Sequence, residues 1–140
     1  MNNYNTLFGQ LLSQVKRPEF DKLCKTMNSD KFRKDFSTWD QFVVMAFAQI
    51  TGQNGLRSIE NAMNCQRSSF YHLGMNKEIK RSTISYANKN HGFEFFEALY
   101  YQIFSSLERG ARKVTGKKLY AIDATTIGFS LNDFPWAKFR

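Results

Sequence analysis

Apolar residues in this chain change their spacing part-way along, and that change limits the fold more than any other feature. Up to about residue 115 they recur every three or four positions, the period of a helix; beyond it they alternate, the period of a strand. Such a chain is a block of helices followed by a short piece of sheet. The expected fold class is mostly α: a multi-helix N-terminal domain, then a C-terminal β-hairpin. The expected plan is residues 1–110 helical, 111–118 a basic linker and 119–140 the strand-bearing segment. At 140 residues, with 42% hydrophobic side chains, the chain has enough apolar material for a core and too much for wholesale disorder.

The helical part divides at its turn residues. Leu7, Phe8, Leu11, Leu12 and Val15 form a first stripe. Pro18 suits the first turn of a second helix, which carries Phe20, Leu23 and Met27 inward. Thr38 with Gln41 three positions later reads as a capping box opening a third, with Trp39, Phe42, Val43, Ala46, Phe47 and Ile50 as its apolar stripe. Gly52 and Asn54-Gly55 end it. Leu56, Ile59 and Met63 mark a short helix. Ser68 is placed to cap another, ended by Gly74, and a third runs from Ser82 to Asn88 with Ile84 and Ala87 inward. Three short helices with tight polar turns have the make-up of a helix-turn-helix unit. A long helix from Gly92 to Arg109 follows, with Phe93, Phe96, Tyr100, Ile103 and Leu107 inward and Gly110 as its cap.

Charge points to a partner. Lys and Arg number 20 against 12 Asp and Glu, a net +8, and a small domain this basic suits a polyanion, above all nucleic acid. A bland alternative is charge that only aids solubility. No apolar run reaches the roughly 20 residues of a membrane span, and the polar start Met1-Asn2-Asn3-Tyr4-Asn5 is no secretory signal. Cys24 and Cys65 are too few for a disulfide framework, so a reduced, cytoplasmic setting is expected. With His72 and His91 they do not make a zinc spacing; His72 is expected to pack beside Phe70 and Tyr71.

Asp123 is unusual because Asp is depleted in strand interiors, yet it follows the apolar run Leu119-Tyr120-Ala121-Ile122. It is either a turn residue closing the hairpin or a metal ligand.

The segment Lys118-Leu119-Tyr120-Ala121-Ile122-Asp123-Ala124-Thr125-Thr126-Ile127, with Phe134-Pro135-Trp136-Ala137-Lys138-Phe139-Arg140 after it, resembles the first catalytic strand and hairpin of bacterial insertion-sequence transposases of the DDE type. Phe8-Gly9-Gln10-Leu11-Leu12, Trp39-Asp40-Gln41-Phe42, Leu56-Arg57-Ser58-Ile59-Glu60, Tyr71-His72-Leu73-Gly74 and Arg81-Ser82-Thr83 resemble the helical N-terminal domain of the same transposases, in the right order. The resemblance implies that residues 119–140 begin an RNase H-like catalytic domain. It implies three carboxylates holding two divalent ions, magnesium or manganese, with Asp123 as the first. Two such ions stabilise the attacking and leaving oxygens of a phosphodiester. The second Asp and the Glu are absent from this sequence, and Asp133 sits in a turn before Pro135. The expectation is therefore a truncated or fragmentary transposase, inactive alone and needing no metal by itself. It would bind the double-stranded DNA of transposon ends in the bacterial nucleoid, with no membrane and no small-molecule substrate.

The candidate DNA contacts are Lys80, Arg81, Ser82, Thr83, Ser85, Asn88 and Lys89, donors along the proposed recognition helix. An ordinary solvated helix start with Ser82 as N-cap accounts for the first of them equally well. Arg112, Lys113, Lys117 and Lys118 are candidate phosphate contacts near the catalytic strand, or simply a solvated linker. The alternative function is a helical oligomerisation module, in which the Gly92–Arg109 helix and the N-terminal stripe pair subunits into a homo-oligomer.

Overall fold

The computed structural model describes residues 7–75 and 77–115, all helices and connections. The chain divides into two compact units, 1–105 and 106–140; of the second, the described residues are the last turns of one helix. The elements are α1 (Leu7–Leu12), α2 (Arg17–Met27), α3 (Thr38–Ile50), α4 (Leu56–Cys65), a 3-10 helix (Arg67–Leu73), α5 (Arg81–Asn90) and α6 (Glu94–Thr115). No strand occurs among the described residues. The hairpin expected over 119–131, and the RNase H-like segment it would begin, lie outside them.

The core of the first unit is built around Phe20, which is 1% exposed. Its ring meets Trp39 edge-on at 4.9 Å, Phe95 at 5.1 Å and Phe42 at 5.5 Å, tying α2 to α3 and α6. Phe8 packs edge-on to Phe47 at 5.5 Å, which seats α1 on α3. Trp39 Nε1 donates to the Leu73 carbonyl at 2.8 Å while the Arg17 guanidinium lies 4.3 Å above its ring. Gly74 turns with φ +71° there, which strains any other residue, and a Cβ would stand 3.0 Å from Arg17 Nη1, close enough that the guanidinium would have to give way.

Several local expectations are corrected. The capping box lies one residue earlier: Ser37 is the N-cap, its hydroxyl accepting from the Asp40 amide at 3.1 Å while Asp40 accepts from the Ser37 amide at 2.8 Å. Thr38 is fully buried instead, its amide and hydroxyl both donating to Asp30 Oδ1 at 2.6 Å and its oxygen accepting from Arg33 at 2.7 Å. Leu7, Leu11, Met27 and Ile50, expected inward, are exposed, while Cys24 and Val44 are buried. Ser68 does not cap the 3-10 helix, which starts after Gln66. On α6 the stripe is rotated: Phe95 and Leu99 are buried with Phe96 and Ile103 against them, whereas Phe93, Tyr100 and Leu107 are exposed. The sequence places rings and aliphatic groups almost all round this helix, and Phe20 selects the face that docks. Gly110 does not end α6, which continues to Thr115, so residues 111–115 of the expected linker are helical.

Candidate nucleic-acid interface

α5 is short and acid-free. Ile84 and Ala87 are 0% and 1% exposed, and that fixes which side turns outward. Ser82, Ser85, Tyr86 and Lys89, at i, i+3, i+4 and i+7, share the exposed side, with Lys80 and Arg81 exposed at the N-terminal end. Thr83 is half-buried.

Three side chains outside the helix hold it in place. Asn64 on α4 grips Ile79 through both of its backbone polar groups: Nδ2 donates to the Ile79 carbonyl at 2.8 Å and Oδ1 accepts from the Ile79 amide at 3.0 Å. Glu60, one turn earlier on α4, accepts from the Arg81 amide at 3.0 Å. The Ser82 cap, the alternative weighed for this helix start, does not form: the N-cap is Lys80, without a side-chain cap bond, and a carboxylate from another helix meets the free Arg81 N–H. At the far end, buried Gln41 on α3 donates from Nε2 to Asn88 Oδ1 at 3.0 Å, and its Oε1 lies 2.8 Å from His91 Nδ1, which donates to it. Asn88 Nδ2 reaches Met45 Sδ at 3.5 Å. Asn88, an expected DNA contact, is exposed and reaches back to α3 through both polar atoms of its side chain. Burial, with the nearby Arg33 charge, pulls the His91 imidazole below its ordinary value.

Beside α5 stands the turn between α2 and α3. Phe32 occupies its tip, 91% exposed, with φ +67°, a conformation that costs a non-glycine residue roughly 1–2 kcal/mol. Lys31 Nζ lies 5.2 Å from the ring. Asp35 pairs with Lys77 just before α5, which holds the Asp35 carboxyl below the usual carboxylate range. An open groove of about 770 Å³ separates turn and helix, with Phe32, Lys31 and Lys34 on one wall and Thr83, Tyr86 and Asn90 on the other. Glu94 also lines it.

Of the expected contacts, Lys80, Arg81, Ser82, Ser85 and Lys89 are therefore gathered at one surface. Arg112 and Lys113 stand on the last turns of α6. Lys117, Lys118 and Asp123 lie outside the described residues. Sequence reasoning missed Tyr86, although it is four positions after Ser82, and Phe32, a lone ring in the basic run Lys31-Phe32-Arg33-Lys34. Glu60, Asn64 and Gln41 gave no local signal, because their partners are 15 to 50 residues away. Cys24 is buried and Cys65 exposed, and among the described residues no three His, Cys, Asp or Glu come together as metal ligands. Among the same residues, no helix is long and apolar enough to cross a membrane.

No curated protein and no solved structure matches this chain. A family model, described as "Domain of unknown function (DUF4372)", matches residues 3–76, from before α1 to just past the 3-10 helix. That span is just over half of the chain and includes the α3 and α4 residues that hold α5, so the chain belongs to the DUF4372 family.

Proposed function

We propose that this chain is the DNA-binding portion of an insertion-sequence transposase of the DDE type, and that it holds the duplex of a transposon end by laying α5 in the major groove. The observation that carries the reading is the exposed side of α5: two cations, two serines, two asparagines and one tyrosine, on a helix with no acid. Lys80, Arg81 and Lys89 supply charge for phosphates, and Ser82 and Ser85 supply donors and acceptors for base edges. The braces from Glu60, Asn64 and Gln41 fix the helix before DNA arrives, so little ordering is left to oppose binding. The net charge of +8 favours the same partner. The nucleoid of the bacterial cytoplasm is the matching location. In a complete catalytic domain Asp123 is the proposed first carboxylate toward magnesium or manganese, and there Asp123→Asn should stop cleavage while leaving DNA binding intact.

The test is fluorescence anisotropy of short labelled duplexes over a range of salt. Arg81→Ala and Lys89→Ala should each weaken binding and lower the salt slope by about 1 for every phosphate no longer neutralised. Unchanged affinity and slope would shift support to a second reading, a subunit-pairing module. One observation favours it: Tyr100, Tyr101 and Phe104 on α6 are all more than half exposed, and Tyr100 stacks on Phe104 with ring centres 6.1 Å apart. Self-association measured by sedimentation, and abolished by changing Tyr100 and Phe104 to serine, would support that module.

A further inference from the structure

We infer that the turn between α2 and α3 is a second DNA-contacting element, with Phe32 entering the minor groove next to the one α5 reads; the inference rests on the α5 reading. A helix in the major groove has a sugar-phosphate ridge on either flank. The groove beside α5 is placed to receive one of them. Its α5 wall offers the hydroxyl of Thr83, the phenol of Tyr86 and the amide of Asn90, and the opposite wall offers the ammonium groups of Lys31 and Lys34. Of the acids lining the groove, Asp35 is paired with Lys77 and Glu94 stands at the start of α6, while Asp30, next to Lys31, is engaged by Thr38 and Arg33. Whatever lies beyond the ridge meets Phe32.

Three features of Phe32 suit that position. Its ring is almost wholly in water, where an apolar group gains nothing. Its backbone is held at φ +67°, where glycine or asparagine would be easier. It is flanked by Lys31 and Arg33, with Lys34 next. An exposed ring on a strained, cationic turn is the form of a wedge that slips between base pairs from the minor groove while lysines hold the adjacent phosphates.

The test compares the whole chain with Phe32→Gly, Phe32→Trp and Lys34→Ala on duplexes carrying a fluorescent aminopurine at successive steps. Glycine accepts the positive φ, so Phe32→Gly removes the ring without distorting the turn, and its melting curve should match or exceed the parent's. The parent should brighten aminopurine at one step by unstacking it. Phe32→Gly should abolish that signal and bind about 10-fold more weakly with an unchanged salt slope, while Phe32→Trp keeps both. Lys34→Ala should lower the slope by about 1 and keep the signal. Parent-like binding and unstacking by Phe32→Gly would overturn the inference and leave the α5 reading standing. A deficit shared by Phe32→Trp, or accompanied by a lower slope in Phe32→Gly, would overturn it too, as a displaced turn. Failure of the parent chain to bind any duplex would bring down both readings.

Discussion

α5 and α6 are neighbours in sequence and opposites in surface. α5 has little apolar material, and its two well-placed residues, Ile84 and Ala87, are fully used against the body. What remains outside is polar and cationic, apart from the Tyr86 ring. α6 has more rings than the body can cover: Phe95 and Leu99 are buried, while Tyr100, Tyr101 and Phe104 stay more than half exposed. A helix with just enough apolar area has one possible orientation. A helix with a surplus has several, and the partner chooses. The outer sides then differ in what they can bind, a polyanion on α5 and another apolar surface on α6.

The sharpest way to break this contrast is to attack the choice of face on α6. Phe95→Ala should cost about 3–5 kcal/mol and Leu99→Ala about 2–5 in urea unfolding. Tyr101→Ala, two residues further along, should stay within about 0.5 kcal/mol. Equal effects at 95 and 101 would mean that the helix has no preferred face. Next in size is Gln41→Ala. It removes the Gln41 bonds to Asn88 and His91 and should cost about 1–3 kcal/mol, with hydrogen exchange at the C-terminal end of α5 rising more than in α6.

A smaller effect comes through pH. The His91 imidazole is held below its ordinary value in the folded chain, so the unfolded chain takes up its proton first. Its contribution to stability is then complete above the unfolded value of roughly 6.5 and is lost as pH falls through that value toward the folded one. Thermal melts should show this decline, and His91→Gln should flatten that part of the curve. The smallest expected change in stability is at Lys89 and Tyr100. Lys89→Ala and Tyr100→Ser should leave the melting curve within about 0.5 kcal/mol of the parent. Yet the first should lower the DNA salt slope and the second should act only on self-association, if the two surfaces are as separate as their chemistry suggests.

The helical character, and most helix positions, were legible because Ile59, Met63, Ile84 and Ala87 obey the period and no other set of residues competes with them. Local pattern fails where two solutions have equal merit. Ser37 with Asp40 and Thr38 with Gln41 both fit a capping box; Asp30 decides by taking Thr38, and no pattern around residue 38 announces it. The phase of α6 was hidden for the same reason, since Phe20 is far off in the chain. At the candidate interface the cations were legible as charge and the hydroxyls as spacing. The mounting was not, because Glu60 and Asn64 act on backbone atoms, which look alike in every sequence.

Such a mount also shapes how the chain can diverge. Asn64 and Glu60 hold α5 by the main chain at Ile79 and Arg81, and every residue other than proline carries the same amide. The joint is blind to the side chains at 81, 82, 85 and 89. Substitutions there can accumulate one at a time with no penalty to the mount, so a lineage can acquire new binding preferences by drift on a helix whose seat never changes.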